Sequence, residues 1–521
     1  MVQDIRRRPI GKQRIIGVDA ARGAALIAMM ITHLLPAWDE NYERTVSWFL
    51  FAGRGPALFA LLAGVSLAFM SGGRYPPSGR NMTAVRYGLT VRAVLIALVG
   101  MTLAYYLPTE IQVILVYYAA MFVLALPLLR LRVRTLLMMA GVIAVAAPFL
   151  MQGLRDALPD MEGIDPNFTT VLYDPGGVLG QVLLTGTYPA LPWMSYLCLG
   201  LALGRMDLTS RVLQVRLLVA GVGLAVVSTV LSSLLLGPLG GEERLVDATS
   251  EWSSAPQDTV TETLIWGPDP TLPTDTWWWL AALTPYSTTP ITLFSTTGTA
   301  LAVLGAILLL AGANPKPLRP LAMLGKMTLS LYSLHLVLDA TGMFAEQPLA
   351  ALAAQLVILL LFAYLWQRIT PLGPLERIMT EASKWVRTKY LAAGKATAGP
   401  GKSAAWPPAF PPRGSSTPVS SHQAEATGQA EASSATGASL PADTFPPPVP
   451  TNPPSPSVGQ APPPPAPPPA TGSPGQPTTR PTSQPTAQPA TQPTTRPSQD
   501  SPRVQSAEGE HRITGGSRQQ Q

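Results

Sequence analysis

The chain has 521 residues, of which 47% are hydrophobic and 13% charged, yet 55 are proline and the net charge is +6. One globular domain does not combine those values, and the lone cysteine, Cys198, excludes an intrachain disulfide. The long apolar runs fall almost wholly in residues 1–390 and the basic residues flank them, which describes a membrane domain with a tail and excludes a nucleic-acid-binding patch.

Residues 1–14, MVQDIRRRPIGKQR, have the basic character of a signal-peptide start. The run that follows carries Asp19 and Arg22 and ends without a small-residue cleavage site, so it is read as a retained first helix. A helix needs about 20 mainly apolar residues to cross the hydrocarbon. Ten segments are expected to do so, centred on 15–35, 48–70, 93–107, 111–129, 135–152, 188–204, 217–237, 291–311, 325–343 and 349–367. The fold class is therefore all-α: a polytopic membrane helix bundle of about ten transmembrane helices.

With the N-terminus inside, the inner segments hold 23 Lys and Arg and the outer loops three, Arg44, Arg155 and Arg244. This is the asymmetry that keeps basic loops cytoplasmic. Residues 15–370 then form the membrane domain and 371–390 a basic juxtamembrane segment. The tail, 391–521, is rich in Pro, Ser, Thr and Gln, and is expected to be disordered and cytoplasmic. Its PxxP patterns fit either a docking partner or a plain spacer.

In the first helix, IIGVDAARGAALIAMMITHLL, Arg22 and His33 are eleven residues apart with Asp19 three before the arginine. Eleven steps of about 100° make about three turns, so all three share one face, with Arg22 and His33 separated by about 16 Å along the axis. Ionisable groups in a membrane helix normally face a protein interior or water, which makes this face a candidate site. A structural Asp19–Arg22 pair with an interfacial histidine is the other reading. Arg54, flanked by Gly53 and Gly55 in the second helix, is placed to face the same cavity as His33.

The large outer loops, 153–187 and 238–287, are acidic, and the second carries Trp252, Trp266 and Trp277 to Trp279. They suit a ligand-covering surface or, for Trp277 to Trp279, an interfacial aromatic belt. Gly200 and Gly204 form a GxxxG that permits close helix approach. In the ninth span Tyr332 and Asp339 share a helical face with His335. That grouping fits a proton relay or a satisfied core histidine. No Walker loop, dinucleotide-binding glycine fingerprint, GxSxG elbow or metal-ligand cluster occurs, and no metal is expected.

Five segments together resemble the heparan-alpha-glucosaminide N-acetyltransferase-like family of bacterial multispan proteins, within the transmembrane acyltransferases. They are RIIGVDAARGAALIAMMITH (Arg14 to His33), GRGPALFALLAGVSL (Gly53 to Leu67), YPALPWMSYLCLGLALGR (Tyr188 to Arg205), STTGTALAVLG (Ser295 to Gly305) and MTLSLYSLH (Met327 to His335). The resemblance implies a cytoplasmic acyl-CoA, most simply acetyl-CoA, as donor and an amine or hydroxyl of an envelope glycan or glycolipid as outer acceptor. His33 is then the general base or transient acyl carrier and Arg54 an oxyanion or acceptor contact. Arg22 and Asp19 lie toward the CoA, and Asp39, Tyr332 and His335 are assigned to substrate binding.

The chain departs from the family in two places. The loop after the first helix, PAWDENYERTVS, lacks the histidine of the lysosomal namesake, and Pro285 to Pro290 reads PYSTTP where relatives often read PHSGTP. The glucosamine acceptor is therefore not carried over. The alternative function is a transporter or flippase of an envelope precursor that uses the same face as a relay. The expected location is the plasma membrane of a bacterium, with both termini cytoplasmic.

Overall fold

The computed structural model describes residues 15–107, 111–158, 165–268 and 271–397. The basic start at 1–14 and the tail from 398 onward, with its PxxP patterns, lie outside the described residues.

Among the described residues the structure is helical, apart from one isolated Trp38–Arg44 bridge. α1 (Ile16–Leu34) has Asp19 in its first turn, where the helix dipole favours an anion, and ends as Leu35 turns extended before Pro36. α2 (Val46–Phe51) and α3 (Arg54–Met70) form one span broken at Gly53, whose φ of 70° is a conformation that glycine adopts without strain. α4 (Gly79–Tyr106) follows, then the short α5 (Leu115–Ala125), α6 (Val133–Leu154) and the short α7 (Ala190–Leu203). α8 (Arg211–Leu236) pairs with α9 (Pro290–Ala313), which starts with Thr289 as N-cap and Pro290 in the first turn. α10 (Arg319–Gly325) and α11 (Thr328–Asp339) meet at a bend of 85°. α12 (Pro348–Ile369) and the amphipathic α13 (Pro374–Thr397) close the bundle.

All ten segments expected to cross contain apolar helices. Among the described residues seven spans are long and apolar enough, and α10 with α11 makes an eighth if the bent pair is counted as one. The other two, α5 and α7, have 11 and 14 residues. At 1.5 Å per residue they are about 17 and 21 Å long, short of the roughly 30 Å hydrocarbon. Both are instead packed into the core. The third span starts at Gly79, not near 93, so Arg80, Arg86 and Arg92 belong to a helix rather than a loop. The helix of the juxtamembrane segment runs past 390 to Thr397.

Small residues let the helices touch backbone to backbone. A Cβ on Gly200 of α7 would lie 1.9 Å from the Leu61 carbonyl of α3, and one on Gly325 of α10 1.6 Å from the Asp19 carbonyl of α1. On Gly298 of α9 it would lie 2.5 Å from the Ala225 amide of α8. The opposite faces of α6, α8 and α12 display Val142, Phe149, Val226, Val230, Val357 and Leu361 to the outside. Such an apolar surface suits lipid, since helices satisfy their own backbone there.

Gly200→Ala should lower stability by about 1–3 kcal/mol through overpacking. Gly223→Ala, whose Cβ would meet nothing within 4 Å, should cause no loss. Thermal unfolding of the two variants in detergent compares them.

Candidate active site

Two chambers are stacked along α1. The inner one, about 560 Å3, is lined by Asp19, Arg22 and Met29 of α1, Ser66 of α3, Arg92 of α4, Tyr118 of α5, Lys326 at the α10–α11 bend, Tyr332 of α11, and Glu376 of α13. Ile15, at the start of α1, and Glu376 line this same space, so the first and last helices of the described bundle begin at one face. The outer chamber, about 450 Å3, is lined by Thr32 and His33 one helical turn above Met29. Its walls include Trp48, Gln112, Arg155, Thr187, Tyr188, Trp266 and Tyr286.

At the inner chamber Arg22 pairs with Asp19 at 3.0 Å and donates to the Ser66 hydroxyl of α3. Ser66 in turn donates to the Leu62 carbonyl at 2.6 Å. The helix 1 ion pair is therefore real, and it sits on a chamber wall. Arg92 extends to the same chamber, and its Nε is buried with no hydrogen-bond partner. Glu376 accepts from the Leu329 and Ser330 amides at 2.8 and 3.2 Å and from the Ser330 hydroxyl, capping the N-terminus of α11.

At the outer chamber His33 Nδ1 lies 3.0 Å from His335 Nε2, with the two rings coplanar to within 5°. His335, fully buried, places Nδ1 2.7 Å from Oε1 of Gln355 on α12. The sequence alone left open whether His335 meets the cavity of His33, and the fold joins them across 302 positions. Tyr332, one turn earlier on α11, is directed to the inner chamber.

Two expected site residues stand apart from the histidine pair. The Arg54 guanidinium binds the Phe49 carbonyl, lies 5.7 Å over that ring, and is not among the residues lining either chamber. The break at Gly53 turns it toward α2 instead of His33. Asp39 is exposed, and its Oδ1 accepts from the amides of Asn41 and Glu43 at 2.8 and 3.0 Å. It organises its own loop, as a short acidic side chain commonly does in a turn.

The outer loops make the upper wall. Trp266 packs edge-on to Trp38 and tilted to Trp48, and Trp48 donates to the Ile265 carbonyl at 3.3 Å. Of the three consecutive tryptophans, Trp279 is buried and donates to Asp275 at 2.8 Å, and Trp278 lies under Arg244. Trp277 remains exposed, stacked on Phe149. Tyr286 and Thr288 adopt φ of 60° and 57°, uncommon for such residues. Hydroxyl bonds brace them: Ser287 donates to the Thr284 carbonyl at 2.9 Å and Thr289 to that of Ala282 at 2.7 Å. This turn directs Tyr286 into the chamber against Trp48 and Tyr188.

Gln355, Arg92, Lys326 and Trp48 were not singled out from the sequence, and Tyr286 entered there only as part of the departure PYSTTP. For Gln355 a signal existed, a lone polar side chain in the apolar run PLAALAAQLVILLLFAYLW.

Asp165 accepts the Val113 amide at 2.7 Å, next in the chain to Gln112 of the outer chamber, and its burial pushes its carboxyl up from 3.8 to about 6. The folded state then holds an extra proton between about pH 4 and 6, so this group's contribution to stability falls as pH rises through that window. Asp165→Asn, which retains an acceptor for Val113, should raise the melting temperature at pH 8 and leave it unchanged at pH 4. Unfolding scans at the two pH values check this.

Residues 14–232 match the family described as heparan-alpha-glucosaminide N-acetyltransferase, catalytic. No curated protein matches the chain. The matched stretch contains α1 to α7 and most of α8, and with them Asp19, Arg22, His33 and Arg92; His335 and Gln355 lie beyond it. Residues 14–232 are thus similar to the catalytic domain of membrane acetyltransferases of the heparan-alpha-glucosaminide type, within a bundle whose described residues hold seven or eight helices long and apolar enough to cross a membrane.

Proposed function

We propose that the protein transfers an acetyl group from acetyl-CoA, bound in the inner chamber, to an amine or hydroxyl of an envelope glycan or glycolipid held in the outer one. The observation that carries this reading is the polar face of α1, which presents Asp19 and Arg22 to one chamber and His33 to the other.

A donor whose anionic end rests near Arg22 must carry its acyl group about 16 Å along α1 to reach His33. An acyl group on an extended arm, such as the phosphopantetheine of CoA, suits that separation. Arg22, Arg92 and Lys326 provide cationic donors for its phosphates. The apolar remainder of the inner chamber, including Phe59, Leu62 and Phe69, suits the arm. The outer chamber combines aromatic faces at Trp48, Tyr188, Trp266 and Tyr286 with the hydroxyls and amide of Thr32, Thr187, Thr288 and Gln112. That mixture suits a sugar ring, whose faces are apolar and whose edges are hydroxyls. His33 serves as general base on the acceptor. The basic connecting segments favour a cytoplasmic inner chamber in a bacterial plasma membrane.

Membranes containing the wild type should transfer label from [14C]acetyl-CoA into a glycan or lipid fraction, and His33→Ala should abolish the transfer while inserting and folding normally. Full activity in that variant would refute the assignment. Arg92→Ala should raise KM for the donor by about tenfold or more, the loss of one charge-assisted hydrogen bond. Steady-state kinetics at saturating acceptor measures that shift.

A further inference from the structure

We infer that Gln355 is a positioning residue that sets the tautomers of both core histidines and leaves Nε2 of His33 as the basic atom of the outer chamber. This deepens the acetyl-transfer reading and rests on it for its catalytic meaning.

The argument is one of hydrogen-bond polarity. An amide oxygen can only accept, so Gln355 Oε1, 2.7 Å from His335 Nδ1, requires the proton to be on that nitrogen. A neutral imidazole carries one N–H, so His335 Nε2 is an acceptor. The atom 3.0 Å away, His33 Nδ1, must then be the donor. His33 Nε2 is left with its lone pair, on a side chain that lines the outer chamber. The opposite direction, with the Gln355 amide nitrogen toward His335, would place a proton on His33 Nε2 and deprive the chamber of its base.

The order Gln355, His335, His33 therefore does what an orienting carboxylate does for a catalytic histidine elsewhere, but without a charge in a fully buried place. As the acceptor X–H attacks the thioester, the X–C bond forms and the X–H proton moves to His33 Nε2. His33 becomes an imidazolium whose Nδ1–H points at the lone pair of His335. Collapse of the tetrahedral adduct breaks the C–S bond, the electron pair leaves on sulfur, and the proton on His33 passes to the thiolate to give CoA-SH. Each proton and electron pair is accounted for by acetyl-CoA, X–H and His33.

The full chain contains four histidines, His33, His335, His422 and His511, so 15N-histidine NMR in lipid nanodiscs is tractable. Loss of signals in His33→Gln and His335→Gln assigns the core pair. The wild type should show both core rings as Nδ1–H tautomers. Gln355→Leu should shift His33 toward Nε2–H and lower kcat by about 10–100-fold, with donor KM unchanged. Gln355→Glu, which keeps an acceptor, should restore the tautomer and most of kcat. An Nε2–H tautomer on His33 in the wild type overturns the inference, and so does a Gln355→Leu protein whose His33 tautomer and kcat are unaltered. If the wild type acetylates nothing yet shows the Nδ1–H pair and its loss in Gln355→Leu, the polarity of the chain stands and the proposed activity falls.

Discussion

Hydrocarbon offers no partner to a polar atom, and α1 carries three ionisable side chains into it. Two polar ladders answer that constraint. Near one end Asp19 and Arg22 reach Ser66 of α3; near the other His33 reaches His335 of α11, which reaches Gln355 of α12. The ladders decide which helices surround α1, because each needs a partner at one depth. A helix shifted by one turn would leave a buried donor or acceptor unmet, at a cost of about 1–3 kcal/mol each.

Short side chains such as Ser66 span these gaps only where the backbones are close. Gly55 of α3, where a Cβ would lie 3.2 Å from the Met29 amide of α1, provides that closeness, and glycines likewise bring α10 onto α1 and α7 onto α3. Packing and polar satisfaction are thus one requirement in this bundle: a Cβ at Gly325 would push α10 off α1 at the level of Asp19. The two chambers are the space left beside α1 once these contacts are made.

What could be read from the sequence follows the reach of local periodicity. The face shared by Asp19, Arg22 and His33 was legible because helical pitch dictates it. The GxxxG of α7 was legible for the same reason, and it packs on α3 as close approach requires. The pairing of His33 with His335 was not, since nothing in either helix specifies a neighbour 302 positions away. Hydropathy placed the start of α4 too late because its first turns carry Arg80 and Arg86, and it is side-chain contact with α13, such as Ser383 donating to the Gly88 carbonyl, that supports a helix there. Arg54 and Asp39 were misdirected for local reasons, a glycine break before one and a side-chain-closed turn around the other. Of the expected tail, 391–397 continue the α13 helix and the rest, from 398, lies outside the described residues.

The cap on α11 has a bearing on biogenesis. Its free N-terminal amides are satisfied by Glu376, which comes 46 and 47 positions after the residues it binds, with the whole of α12 in between. During synthesis α11 must enter the bilayer before its cap exists, so its seating beside α1 is a late step that waits for α12 to insert and α13 to fold back. A chain released before that point would hold α1 with His33 but not the finished pair, and quality control would meet it as an open bundle.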